Sequence, residues 1–268
     1  MKKWLKVGAF VLAMALLAGV VYVTDVLMGF PVSYFRVKQS LHTYLEEYYS
    51  DTDFVATNPH HVFKLGRFMV DVSSPSSPDS HFFLEFDADG SLLYDSYESK
   101  VTSGWNTAMR LSDQYDKLCR TVMESATFPF EVECSGGMES SINGGKAQRE
   151  EPGTYPEPWN IKELVLDEPY DIARLSGKYG TIILTVTTDE VTLETAETSL
   201  LELRRIMEQA NLPFCSVELW VQSKEQNAYE NPVETMHILN FGWDDIYEDG
   251  MAERVQSALD ATTEHYLH

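Results

Sequence analysis

HFFLEFDADGSLLYDSY, residues 81–97, holds two runs of aromatic and aliphatic residues on either side of Asp89-Gly90. Asp-Gly supplies the positive φ angles that a tight turn needs, so the stretch reads as a β-hairpin. Upstream, Asp53 to Thr57 and Val62 to Val72 are rich in Phe and Val and bounded by turn residues, which predicts further strands. SSPSSPDS, residues 73–80, is a Ser/Pro loop. Before the strands, Val37, Leu41, Tyr44, Leu45 and Tyr48 recur at helical spacing after Pro31-Val32-Ser33. After the hairpin, Ala108, Leu111, Tyr115, Leu118 and Val122 mark a helix over 105–125. A helix, an antiparallel sheet of about four strands and a second helix make a two-layer α+β domain, expected over 29–133.

At the N-terminal side lies a different kind of segment. Lys2, Lys3 and Lys6 precede an uncharged apolar run from Val7 to Val23, closed by Asp25. About 20 apolar residues cross a bilayer core. Trp4 and Tyr22 sit near the two ends, where amphipathic rings favour headgroups, and the lysines orient the N-terminus to the cytoplasm. Residues 1–28 are therefore expected to be a cytoplasmic lysine cluster and a single transmembrane helix, with the bulk of the chain extracytoplasmic. The competing reading is a cleaved signal peptide. Its small-residue pattern, Ala13-Met14-Ala15, falls inside the apolar run, which favours an uncleaved anchor.

Residues 134–160 carry Gly136-Gly137, Gly144-Gly145, Pro152, Pro156 and Pro158, a linker composition. Beyond it, residues 161–268 alternate in type. Ile161 to Leu166, TIILTVT at 181–187, Phe214 to Val221 and Met236 to Phe241 read as strands. Helices are expected over 169–175, after the Thr192 cap and over 251–266. The strand–helix–strand unit implies parallel pairing. The expected second domain is a mixed-sheet, loosely ferredoxin-like sandwich.

Net charge is −22, and between Trp159 and His268 there are 7 Lys and Arg against 21 Asp and Glu. Such a surface repels nucleic acid and anionic headgroups. Three cysteines, Cys119, Cys134 and Cys215, form no C-x-x-C pair, and an odd number leaves at least one thiol free or paired with another chain. A Cys119–Cys134 bridge would need a chain reversal between them.

Several segments together resemble the YfjL-like membrane-anchored proteins of Gram-positive bacteria. They are Tyr44-Leu45-Glu46-Glu47-Tyr48-Tyr49, Val62-Phe63-Lys64-Leu65-Gly66-Arg67-Phe68, Asp95-Ser96-Tyr97 and Gly104-Trp105-Asn106-Thr107 with Arg110. In the second half they are Tyr170-Asp171-Ile172, Lys178-Tyr179-Gly180, Phe241-Gly242-Trp243-Asp244-Asp245-Ile246 and Arg254-Val255. The likeness covers nearly the whole chain and supplies no catalytic residues.

The residues themselves offer few chemical constellations. Gly144-Gly145-Lys146 is not a phosphate loop, because Ser140 and Ala147 stand where Gly and Ser or Thr belong. Asp87-Ala88-Asp89-Gly90-Ser91 resembles half a calcium loop, and the hairpin accounts for the same residues. His60 and His61, with His42 and His81, lack metal-ligand spacing. No cofactor or metal is expected. Asp95 and Tyr97 with Trp105, Asn106 and Arg110 form the best candidate polar surface site, with Arg110 placed to pair with Asp95. The bland alternative is an ion pair that holds a helix to the sheet. Trp243, Asp244 and Asp245 are a weaker candidate: paired carboxylates beside an aromatic ring suit a glycosidase, and equally a wet turn before a helix.

The expected function is a non-enzymatic envelope protein held in the lipid bilayer through Val7 to Val23 and binding a protein or peptide partner. Two alternatives are an envelope hydrolase using surface carboxylates and a sensor coupled through a membrane partner.

Overall fold

The computed structural model describes residues 2–141, 158–224 and 234–267. Helix α1 (Lys2–Met28) contains Val7–Thr24, a segment long and apolar enough to cross a membrane. None of that segment is buried against the protein. Gly29, at φ +78°, and Phe30 separate it from helix α2 (Pro31–Tyr48), which starts on proline, a residue pre-set for the first helical position.

The chain divides between Asn106 and Thr107. In the first unit, α2 is followed by β1 (Val55–Ala56), β2 (His60–Val62), β3 (Arg67–Ser73), β4 (His81–Phe86) and β5 (Leu92–Asp95). The pairing is antiparallel throughout, in the order β1-β3-β4-β5, with β2 also on β3. Alternation sends Phe68, Val70 and Val72 of β3 and Phe82, Leu84 and Phe86 of β4 to one face, where they pack with Val37 and Leu41 of α2. The expected strand from Val62 to Val72 is broken, because Gly66 takes φ +64° in the turn that links β2 to β3. The expected hairpin is present with a longer turn. Gly90 donates to the Asp87 carbonyl (3.0 Å) and Asp87 to that of Ser91 (2.9 Å). Within this turn only Gly90, at φ +91°, is left-handed. A Cβ on Gly90 would come within 2.8 Å of Ser40 Oγ, so the turn sits directly on α2. The Asp87 and Asp89 carboxylates accept backbone N–H groups of Asp89 and Ser91, each at 2.8 Å, which is turn chemistry.

The second unit contains α3 (Trp105–Ser125, from Thr107 on), β6 (Glu131–Met138), β7 (Ser140–Ser141), β8 (Trp159–Asn160), α4 (Ile172–Tyr179), β9 (Gly180–Thr188), α5 (Leu193–Gln209), β10 (Ser216–Ser223), β11 (Thr235–Gly242) and α6 (Met251–Leu267). Its main sheet runs β11-β10-β9-β6. The β9/β10 pair is parallel, as expected of a strand–helix–strand crossover, and the other two pairs are antiparallel. Spatial neighbours are also chain neighbours. The sandwich therefore has the layering of a ferredoxin-like domain and a sequential strand order. Ile182, Leu184 and Val186 of β9 and Val217, Leu219 and Val221 of β10 face Tyr115, Cys119 and Met123 of α3 and Leu200, Leu203 and Met207 of α5. A bulge in β11, with Asn240 at φ +49°, lets Ile238 and Phe241 share that face although they are three residues apart.

Two boundaries differ from the sequence expectation. The unit division falls at Asn106/Thr107 rather than after 133, so most of α3 belongs to the second unit. The expected linker at 134–160 begins as sheet, because Cys134 to Met138 complete β6. The physical reason is close approach. A Cβ on Gly136 would lie 2.8 Å from Cys119 Sγ and 3.0 Å from the Tyr115 ring, so glycine here seats α3 on the strand. The rest of the expected linker, 142–157, lies outside the described residues. Ile161 starts a 3-10 turn, Ile161–Glu163, and is fully buried, where a strand was expected.

Candidate functional site

Asp95 ends β5 half-buried and serves as an acceptor. Its Oδ2 takes the Tyr44 hydroxyl at 2.8 Å and the Tyr49 hydroxyl at 2.7 Å, and its Oδ1 takes the Tyr97 backbone N–H at 2.7 Å. Helical spacing delivers Tyr44 from α2, and Tyr49 follows at its C-cap. The rings continue as a stack of edges: Tyr49 meets Phe54, Phe82 and Tyr97, each at 5.3–5.4 Å between centroids. Burial first, and then the Asp95 carboxylate, push the Tyr44 and Tyr49 hydroxyls above the ordinary tyrosine value. The arrangement holds both phenols neutral and pins the strand end to the helix.

The other members of this candidate have separate tasks. Asn106, 3% exposed, donates to the carbonyls of Asp79 (2.8 Å) and His81 (2.6 Å), closing the Ser/Pro loop over the start of β4. Lys100 sits 5.2 Å from the Trp105 ring centroid. Arg110 belongs to the second unit, where it donates to the Glu168 carbonyl at 3.1 Å. Within the first unit Asp95, expected to pair with Arg110, takes two tyrosine hydroxyls.

The Trp243 loop is held by arginines from outside it. Arg204 of α5 lies 4.9 Å from the Trp243 ring and donates to the carbonyls of Trp243 (2.9 Å) and Ile246. Arg254 of α6 stacks 3.5 Å over Tyr247 and donates to the carbonyls of Asp245, Tyr247 and Asp249. Trp243 also packs edge-on against Phe214 at 4.7 Å. Asp244 and Asp245 are exposed.

A third cluster was not visible in the sequence. Trp220 and His237 are register partners on β10 and β11, and their rings stack at 3.6 Å with 13° between planes. Glu218 Oε1 accepts Trp220 Nε1–H and stands 2.9 Å from His237 Nε2. On the other side, Tyr266 of α6 approaches His237 Nδ1 at 3.1 Å. Nε2 thus faces a carboxylate that can only accept, and Nδ1 faces a hydroxyl that can donate or accept. The chain carboxylate–imidazole–phenol orients the ring on the sheet face opposite α3 and α5. Only the pairing of Trp220 with His237 across two strands reveals it, since sequence separation hides that register.

Fold and networks together define a two-unit α+β chain with one N-terminal apolar helix of membrane-spanning length. Residues 1–92 match the YfjL-like, N-terminal domain, and residues 137–256 match the YfjL-like C-terminal domain. The chain belongs to the YfjL-like family. Asp95, Tyr97, Trp105, Asn106 and Arg110 lie between the two matched segments, whereas Glu218, Trp220, His237 and the Trp243 loop lie within the second. No curated protein and no solved structure shows a match to this chain.

Proposed function

We propose that this protein is a single-pass, non-enzymatic binding protein of the cell envelope, its N-terminus cytoplasmic and its two α+β units outside the membrane. One observation carries the reading: Val7–Thr24 is apolar along its whole length and none of it is buried against the protein. An exposed helix of this kind is stable in hydrocarbon and unstable in water. The lysines before it favour a cytoplasmic N-terminus. Support for binding over hydrolysis comes from the side chains that looked most catalytic. Asp95 is saturated by tyrosines, and Asp244 and Asp245 are adjacent and exposed on one loop.

The test is protease added to intact cells. The expected result is digestion of the chain beyond residue 28, with a membrane fraction that resists alkaline carbonate and still carries Val7 to Val23. A mature form lacking those residues in the medium, or a C-terminal half protected from protease, overturns the reading.

A further inference from the structure

The two margins of the second sheet are finished differently. At the β11 margin, the Leu239 N–H is taken by Thr262 Oγ1 of α6 at 3.1 Å, so a helix seals the edge. At the β6 margin, α3 seals only one end. Gly136 N–H donates to Asp116 Oδ1 (2.9 Å) and Met138 N–H to Ser112 Oγ (3.1 Å). These are the outward-facing groups of β6, the even-numbered positions, since its register with β9 is unbroken from Glu131 to Met138. The same alternation turns the N–H and C=O groups of Val132 and Cys134 outward. No described side chain caps these two positions.

Between them and α3 lies a groove of about 390 Å³ lined by Arg120, Met123, Glu124, Val132, Glu133 and Cys134. Its charge is one-sided. Arg120 is already engaged by Asp116 at 2.8 Å, while Glu124 and Glu133 have no ion-pair partner among the described residues. Neither lysine nor proline, the usual guards of an exposed edge, occurs in β6.

We infer that the Val132–Cys134 edge of β6 captures an extended, basic polypeptide segment as an added strand. Backbone groups of the guest pair with Val132 and Cys134, and its cationic side chains meet Glu124 and Glu133. This is strand addition, in which main-chain bonds give affinity and alternate side chains give selectivity. The inference rests on the reading of this protein as a binding protein and names the chemistry of its partner.

The experiment uses the full chain in detergent micelles and a fluorescent peptide of about eight residues in which pairs of lysines alternate with pairs of threonine or valine, so that both faces of the added strand carry charge. The expected result is saturable binding with slowed amide exchange at Val132 and Cys134. Methylating alternate backbone nitrogens of the peptide is expected to weaken binding at least about tenfold, because it removes main-chain donors. The double substitution Glu124→Lys with Glu133→Lys is expected to weaken the basic peptide by about tenfold or more and to admit its glutamate counterpart. Val132→Pro, which removes an outward N–H and no ladder bond, serves as a second variant, with thermal unfolding as its folding control. Absent binding, or binding indifferent to both methylation and charge reversal, overturns the proposal. Micelles carry no sidedness, so these outcomes are separate from those of the protease test.

Discussion

Between α2 and the first sheet the packed layer is rich in aromatic rings, with Phe68, Phe82 and Phe86 from the strands and Tyr34, Tyr44, Tyr49, Phe54 and Tyr97 packed around them and the aliphatic residues between. Between the helices and the second sheet it is mainly aliphatic and sulfur-bearing, with Ile182, Leu184, Val186, Leu200, Leu219, Met207, Cys119 and Cys134 around three buried rings, Tyr115, Phe214 and Phe241. The difference follows from what each sheet has to cover it. The first has one helix and short strands, and aromatic rings bury more area per residue. The rings bring hydroxyls with them, and a buried hydroxyl must find an acceptor. Asp95 is that acceptor for two tyrosines. The second unit buries thiols beside a single phenol: Tyr115 is fully buried, and Cys119 and Cys134 are free, with burial pushing both thiols up to about 12.

The largest effect expected from this contrast is on packing. Phe86→Ala should cost about 3–5 kcal/mol and Leu184→Ala about 2–5 kcal/mol, each through the side chain lost and the cavity left. Hydrogen exchange followed peptide by peptide should show Phe86→Ala loosening residues 31–106 and Leu184→Ala loosening residues 107–267. Equal loosening of both regions by either variant would mean the layers unfold as one, and the contrast would lose its meaning.

Next in size is Asp95→Ala, which leaves the Tyr44 and Tyr49 hydroxyls without their acceptor and should cost about 1–3 kcal/mol, confined to the first unit. Tyr49→Phe removes a single bond and should cost less than Asp95→Ala. If Asp95→Ala is neutral by chemical denaturation, the carboxylate is not what satisfies the aromatic layer.

The smallest effects lie at the extremes of pH and have opposite signs. Tyr44 and Tyr49 are raised, chiefly by burial, so their neutral forms contribute stability below the ordinary tyrosine value of 10.0. That contribution is lost as pH climbs from 10.0 towards their folded values. Asp116 of the second unit is lowered: burial opposes this, and Arg120 and the Gly136 N–H outweigh it. Its contribution is complete above 3.8 and is lost as pH falls from there through the lowered folded value. Exchange rates should therefore rise first around Tyr49 in alkali and first around Gly136 in acid. The reverse order would refute both assignments.

The sequence made some of this readable and concealed the rest. The helix over 105–125, the Thr192 cap and the β9 strand emerge from periodicity and capping, which are local, and the structure contains all three. The stripe of α3 was legible as far as Tyr115. Beyond it the buried positions are Cys119 and Met123, with Leu118 42% exposed, because the ridge continues at intervals of four. Gly136-Gly137 looked like a linker because glycine has two meanings, chain freedom and close approach. Only the presence of α3 above the strand distinguishes them. At the candidate site, Asp95 and Tyr97 were found and their partners were not. Tyr44 and Tyr49 lie 51 and 46 residues away, a separation bridged only by the packing of α2 on the sheet.

Gly29 and Phe30 are the whole distance between the apolar helix and the first unit. A Cβ on Gly29 would stand 2.7 Å from the buried Phe68 ring, so this joint is wedged as well as brief. Two residues span at most about 7 Å. If Val7–Thr24 spans a bilayer, a joint this short leaves the aromatic layer no room to drift away from the headgroups, and residues inserted between Gly29 and Phe30 would set its height above the lipid.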